Sequence, residues 1–498
     1  MLGNRTMNRL DQLELIDTIQ RLGFDYVFEN EIRTIMEIIY KDKKRSNAST
    51  NSDLYTEALE FRLLRQHGFK VPQEIFNSFK DSEQNFKACL CEEKKGLLSL
   101  YEASFLMEEG ENILEDARDF AENQLKEYVN HNKGDYISML ASHSLELPLH
   151  WRMPRLDARW YMDVYQTKQS MKPMLLELAK MEYNRLQTVH QEDLKRASEW
   201  SLHTGFKEKL PFARDRIAEC FLWTTGIAME PWYSYFRIQT TKHGQIITTI
   251  DDIYDVYGTL DELELFTSAI ERWDISMMNG LPYYMKLTFF ALVNFVNEVA
   301  YVALRDHGVD ITYYLKKSWI DLCKSYLLEH KWGYKPTLQE YLDNAWISIS
   351  GPVLLVHIYF LTANPITNKA MESLKEEGYP KVIKWSSMIL RLADDLGTSS
   401  HELLRGDVPK SIQCCMHETG ASEEESREQI HYLIGETWKK MNRDGANDTS
   451  FSRDFVRMCM NLGRAAQCFY QHGDGFGIVD RETKGCFLEL LVQPASLS

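Results

Sequence analysis

"TTIDDIYDVYGT", residues 248–259, sets three aspartates, Asp251, Asp252 and Asp255, among Ile250, Ile253, Tyr254, Val256 and Tyr257. Carboxylates rarely share the surroundings of isoleucines unless something neutralises them. Three readings compete: an exposed helix end, a buried salt-bridge network, and a divalent-metal site. On a helix Asp251 and Asp255 stand one above the other, and Asp252 points about 100° away. The apolar flanks make the exposed helix end the weakest of the three.

A second oxygen-rich stretch, "RLADDLGTSSHELLRGDVPK" (391–410), carries Arg391, Asp394, Thr398 and Glu402 at i, i+3, i+7 and i+11. On a helix these form one stripe, with three oxygen ligands on successive turns and an arginine one turn behind. The competing reading is a solvated polar face. A hydroxyl between two carboxylates favours chelation of a hard cation, and carboxylate-bound magnesium completes its shell with water and substrate phosphate. That ligand needs cations. "FARDRIAECFLW" supplies Arg214 and Arg216, and Lys410 follows the second acidic stretch. Arginine forks bind phosphate in bidentate fashion. Without the acidic helices, Arg214 and Arg216 read as surface partners of Asp215 or Glu219. Trp223 reads equally as a core aromatic and as a cavity wall.

The rest of the chain is consistent with an enzyme of this kind. Its 498 residues, 44% hydrophobic and 26% charged, suit two or three globular domains. A net charge of -16 argues against nucleic acid or an anionic membrane as partner. Nine irregularly spaced cysteines read as reduced thiols. Helical periodicity dominates and no sustained strand pattern occurs, so the fold class is all-α. The apolar stretches 281–304 and 353–361 read as buried helices, the first interrupted by Lys286, Asn294, Asn297 and Glu298, the second too short to span a bilayer. Three prolines interrupt the helices over 147–173, and the domain boundary is placed near residue 176, giving domains 1–176 and 177–498. The first amphipathic pattern starts at Leu10, which leaves no room for a transit peptide.

Together these elements resemble the plant class I terpene synthases, especially the angiosperm monoterpene synthases. "DDIYD" matches the D-D-x-x-D motif, "DDLGTSSHE" the second metal motif, and "RDR" the R-x-R motif. "SISGP" (348–352), "HGDGFG", "LPLHWR", "YEASFL" and "RGDVPKSIQC" are similar too, so the likeness spans essentially the whole chain. The resemblance implies a C-terminal α-helical barrel with the class I terpenoid synthase fold and a catalytically silent, N-terminal α/α-barrel-like relic domain. It implies that Asp251, Asp255, Asp394, Thr398 and Glu402 bind three magnesium ions, with Asp252 counted beside them and manganese as a substitute. Arg214, Arg391 and Lys410 would hold the diphosphate, with Arg216 in the same motif. Trp223, Tyr326 and Phe476 would line the cavity. The implied partner is a small prenyl diphosphate, geranyl before farnesyl, bound by a monomer or weak homodimer. The implied location is the plastid, with the cytoplasm as alternative.

Thr398 stands where a chain-elongating prenyltransferase would carry an aspartate, and no D-x-D-D motif of the class II cyclases is found. A helical scaffold without activity is the non-enzyme alternative. One departure from the family pattern is the tandem-arginine segment, R-R-x8-W, which does not precede the "LELID" helix. Its absence leads us to expect a larger share of acyclic or hydroxylated products.

Overall fold

The computed structural model describes residues 7–45, 53–376, 378–405, 409–476 and 481–497, and the side chains of 400–405 and 481–483 lie outside that description. Among the described residues the regular elements are helical, and extended pairing is limited to one antiparallel bridge between Lys80 and Phe86. The chain divides into two compact units: 1–187 with 442–447 and 488–498, and 188–441 with 448–487. The division thus falls between Gln187 and Thr188, and two late stretches belong with the first unit. A linear reading of prolines, which set the boundary near 176, has no means of seeing such long-range membership.

The first unit is built on α1 (Arg9–Arg21), α2 (Leu54–Gln66), α3 (Lys94–Ser104) and α4 (Asn112–His131). Short polar side chains start the first two. Asp11 N donates to Asn8 Oδ1 at 2.8 Å, and Thr56 N to Asp53 Oδ1 at 2.8 Å, satisfying amides that a helix start leaves open. α3 packs between α2 and α4 and is buried continuously from Gly96 to Ser104, as expected of a helix enclosed on all sides.

The second unit contains α5 (Ile217–Ile227), α6 (Ser234–Asp252), α7 (Tyr283–His307), α8 (Thr312–His330), α9 (Leu338–Ser348), α10 (Gly351–Thr362), α11 (Lys381–Arg405) and α12 (Arg453–Phe469). Contacts run α5–α6–α7–α8–α9–α11–α12 and return from α12 to α5, so the succession closes on itself. This is the helical barrel implied by the sequence. α10 touches α6, α8 and α11, and its residues are almost wholly buried.

Tyr283–His307 and Leu338–Thr362 are long and apolar enough to cross a membrane by length and composition alone. Their most apolar windows are 50% and 67% buried within the fold, which accounts for that apolarity without a bilayer. The second is also broken: Ser350 adopts a left-handed conformation (φ 66°) and Pro352 opens α10. A Cβ on Gly351 would fall 2.3 Å from Ser387 Oγ and 3.0 Å from Ser387 Cα on α11. Only glycine permits so close an approach.

Behind that break lie two buried imidazoles, His243 on α6 and His357 on α10, with ring centroids 4.1 Å apart. His357 Nδ1 donates to the Val353 carbonyl at 2.8 Å, and its Nε2 accepts from Trp319 Nε1 at 3.3 Å. Both nitrogens are committed to the neutral tautomer. Burial pushes the His357 pKa down from 6.5 to about 4, against the smaller opposing pull of the Val353 carbonyl. The unfolded chain therefore binds the extra proton first. Stability supplied by the neutral ring is complete above pH 6.5 and is lost as pH falls through about 4. We expect His357→Gln to flatten this limb, removing up to about 3 kcal/mol of pH dependence. Thermal midpoints at pH 7.5 and pH 5 check it: the difference between them should be smaller in the variant than in the wild type.

Candidate active site

The first acidic motif does not continue the helix that carries it. α6 ends at Asp252, and Ile253–Tyr257 is a π-helical turn closed by Gly258 N donating to the Ile253 carbonyl at 2.8 Å. Such turns recur at functional sites because they re-aim side chains. Here Asp252 is buried, Asp251 is half-buried and Asp255 is exposed.

Arg214 connects these groups. Its main-chain N and Nε donate to the two oxygens of Asp252, each at 2.7 Å, and its Nη2 donates to Asp251 Oδ2 at 2.7 Å. Burial alone would lower the Arg214 pKa, but Asp251 and Asp252 outweigh it and hold the guanidinium above its ordinary value. Asp252 thus stands differently from its sequence reading as a metal ligand. Burial raises its pKa, Arg214 opposes that rise, and both its oxygens serve the arginine. The Tyr326 hydroxyl lies beside Asp251, and its pKa is pushed up by burial and then by Asp251 and Asp255.

Gln245, which the sequence reading passed over, orders this turn. Its Oε1 accepts from Arg216 N at 2.8 Å and its Nε2 donates to the Arg214 carbonyl at 2.9 Å. One α6 side chain thereby fixes both arginine positions of the R-x-R motif. The Arg216 side chain reaches Glu219 at 3.3 Å, the ion pair foreseen as its ordinary role.

The second motif repeats the arrangement on α11. Arg391 is paired with Asp394 and, at 2.6 Å, with Asp395. Asp395 is fully buried and accepts from Tyr341 OH and Ser411 N, each at 3.1 Å. Each D-D pair therefore has an inner carboxylate, Asp252 or Asp395, that anchors an arginine. The sequence reading missed Asp395, although its adjacency to Asp394 repeats the Asp251–Asp252 pattern. Asp394 also accepts from Tyr470 OH, whose pKa is pushed up by burial and then by Asp394 and Asp474. Thr398 Oγ1 donates to the Asp394 carbonyl at 3.0 Å. The side chain of Glu402 lies outside the described residues. Lys410 is half-buried at the start of the helix Ser411–Thr419, with its main-chain N donating to Gln413 Oε1 at 3.0 Å.

Among the described residues no three His, Cys, Asp or Glu side chains form a ready metal cage. The donors that are present suit magnesium nonetheless. Asp251, Asp255, Asp394 and Thr398 offer only oxygen, and magnesium keeps several waters and substrate phosphates rather than requiring a full protein shell. The guanidinium groups on Asp251 and Asp394 supply the positive charge these carboxylates need.

Aromatic rings gather near the second motif. Trp223, half-buried on α5, stacks on Phe469 at 5.1 Å, with Tyr470 at 6.1 Å and Phe476 edge-on at 6.4 Å. Tyr326 lies apart from this group, 5.3 Å from Tyr254 and against Asp251. The structure therefore joins Trp223 to Phe476, and Tyr326 to the first acidic motif. Phe469 and Tyr470 were passed over in the sequence.

Residues 203–440 match the metal binding domain of the terpene synthase family, and residues 1–145 match the terpene synthase N-terminal domain. The chain is 60% identical to terpene synthase 10 of Ricinus communis over 99% of its own length and 90% of that relative. It is 56% identical to the chloroplastic myrcene synthase of Quercus ilex, over 100% of the chain and 84% of the relative. Among solved structures it superposes on limonene synthase bound to 2-fluorolinalyl diphosphate with a TM-score of 0.95 and 46% identity, covering 98% of this chain and 91% of that one. Isoprene synthase from grey poplar (Populus x canescens), in complex with three Mg2+ ions and dimethylallyl-S-thiolodiphosphate, gives a TM-score of 0.93 at 45% identity, covering 99% and 94%.

The register of α11 depends on a second close approach. A Cβ on Gly397 would fall 2.7 Å from the Gly473 carbonyl and 3.0 Å from Tyr470 Cβ. The nearest obstacle is backbone, which has little room to yield. We expect Gly397→Ala to destabilise the fold by about 1–3 kcal/mol, the usual cost of overpacking. A thermal midpoint equal to the wild type would show that the 470–475 turn gives way freely.

Proposed function

The chain belongs to the terpene synthase family, and from that premise we propose that it ionises geranyl diphosphate in a metal-dependent reaction, releasing diphosphate and giving a monoterpene olefin or alcohol. One observation carries the reading: two arginine-anchored acidic motifs occur in the same helical unit as a cluster of aromatic rings. The first provides for the leaving group and the second for the cation it leaves behind.

Asp251, Asp255, Asp394, Thr398 and Glu402 would hold three magnesium ions, with manganese as a substitute. When bound, the metal supplies Lewis-acid stabilisation of charge on the departing diphosphate oxygens. The chain's own cations add to this. Arg214 and Arg391, released from Asp251 and Asp394 once those carboxylates are otherwise neutralised, remain anchored by Asp252 and Asp395 and present their guanidinium forks to the diphosphate. Lys410 adds a point charge, and Arg216 stays paired with Glu219 as support.

The allylic C–O bond breaks, its electron pair leaves with diphosphate, and an allylic cation remains. Trp223 and Phe476 offer ring faces to it, with Tyr326 beside the first acidic motif, so that the wall attracts positive charge without attacking it. Pro352 has no N–H to offer the Ser348 carbonyl, so the helix break provides a further dipole oriented by fold rather than by a side chain. Loss of a proton to diphosphate or solvent gives the olefin; capture of water followed by loss of a proton gives the alcohol.

Close relatives named as monoterpene synthases support geranyl over farnesyl diphosphate, and the chloroplastic naming of one supports a plastid location. The catalytic domain is taken as 177–498 and the N-terminal domain, 1–176, as silent, in a monomer or weak homodimer. A direct test supplies purified protein and magnesium with geranyl and farnesyl diphosphate in parallel. Higher kcat/KM on farnesyl diphosphate would replace the substrate named here.

Chelation with EDTA should abolish turnover, and Asp251→Ala should lower kcat by about 100-fold or more, since an electrostatic contact to the leaving group is lost. Circular dichroism should show an intact fold. Near-normal turnover of that variant would remove Asp251 from the metal set. Trp223→Ala should redistribute products while KM changes little, because the ring face acts only after ionisation. Gas chromatography of the products decides this, and unchanged ratios would return Trp223 to a packing role.

A further inference from the structure

The first unit holds a second polar site, on which no step of the ionisation draws. A small cleft opens beside α1, α2 and α3, with about 50 Å3 open to water-sized groups. Three of its carboxylates are matched by three cations. Arg21 pairs with Asp17 at 3.1 Å and with Glu102; Arg62 pairs with Asp17 and, at 3.5 Å, with Glu102; Lys95 pairs with Glu14 at 2.6 Å. Lys168 is a fourth cation in the lining, and among the described residues no carboxylate lies within ion-pair distance of it. Its ammonium lies 5.6 Å and 5.9 Å from the ring centroids of Tyr136 and Tyr165. Partial burial, then like charge on Lys95, lower its pKa, with Glu14 opposing.

The lining also has donors to spare. Ser99 is 4% exposed and its hydroxyl has no partner among the described residues. Tyr136 and Tyr161 bond to each other at 2.9 Å, which uses one of their two hydroxyl hydrogens. Arg62 Nε, likewise buried, faces Glu102 at 3.5 Å. A buried polar group without a partner is costly, so a cleft with one surplus positive charge and two spare hydroxyl donors calls for an anion rich in acceptors. A tetrahedral oxyanion meets both requirements, and a planar, singly charged carboxylate meets fewer of the donors.

We propose that this cleft is a binding site for a small phosphate-class oxyanion, held by the Lys168 ammonium with the Ser99 hydroxyl and the tyrosine pair. Inorganic phosphate and diphosphate share this chemistry, and diphosphate is also the leaving group of the proposed reaction.

Calorimetric titration of the full chain with inorganic phosphate and, separately, with diphosphate tests this. EDTA is present throughout, so that divalent cations do not recruit either ion to the acidic motifs. We expect one equivalent bound by at least one of the two ions. Lys168→Met and, independently, Ser99→Ala should weaken binding by about tenfold or more, the loss of one charge-assisted hydrogen bond. Lys172→Met, an exposed neighbour, and Arg391→Ala, in the reaction site, should leave it unchanged. Circular dichroism without anion monitors folding, and Ser99→Ala, which removes a single oxygen, serves if Lys168→Met does not fold. Absence of saturable binding to either ion overturns the proposal. So does undiminished binding by folded Lys168→Met, or loss of binding in Arg391→Ala.

Discussion

A buried carboxylate holding an arginine is the interaction on which the reaction site depends. Asp252 takes both a main-chain N–H and the side chain of Arg214. Asp395 is tied to Tyr341, Ser411 and Arg391. Neither aspartate faces outward. Their neighbours are placed differently: Asp251 is half-buried and Asp394 buried, and each lies beside a tyrosine hydroxyl and shares the same arginine. On the function proposed here, the doubled aspartate is a division of labour between anchoring a cation and meeting the ligand. An isolated buried carboxylate would protonate rather than stay charged; pairing with arginine and extra hydrogen bonds makes its burial tolerable.

How far the site was legible follows from the same distinction. Spacing along a helix identifies residues that share a face, so Asp251, Asp394 and Thr398 could be read from "DDIYD" and "DDLGTSSHE". It does not say which of two adjacent carboxylates turns inward, because that depends on the partner helix. Asp252 was accordingly counted as a ligand, and Asp395 was passed over. Gln245 was invisible for a related reason: a glutamine among threonines, lysine and histidine on a mixed helix gives no periodic signal, and its value lies in contacts to a turn far off in sequence. The π-helical turn at 253–257 was equally hidden, since its residues satisfy an α-helical pattern. The all-α class was accessible because it follows from long periodic stretches, the most dependable signal a single chain offers, and the helical barrel followed from the family resemblance of the motifs. The membership of 442–447 and 488–498 in the first unit is set by contacts across hundreds of positions and leaves no local mark.

The two close glycine contacts on α11 have a consequence for anyone reshaping the pocket. Ser387 is pressed by Gly351 from one neighbour, and Gly397 is pressed against the 470–475 turn ten residues later. At 1.5 Å per residue these points lie about 15 Å apart along the axis. Arg391, Asp394 and Asp395 all sit between them. A rod gripped at two places can neither slide nor rotate, so these three side chains keep their positions while aromatic side chains on other elements are exchanged. On the function proposed here, product identity can then drift through substitutions such as those at Trp223 or Phe476, with the groups proposed to ionise the substrate left in register. Diversification of the hydrocarbon and preservation of the ionisation step are in this way separable by position along a single helix.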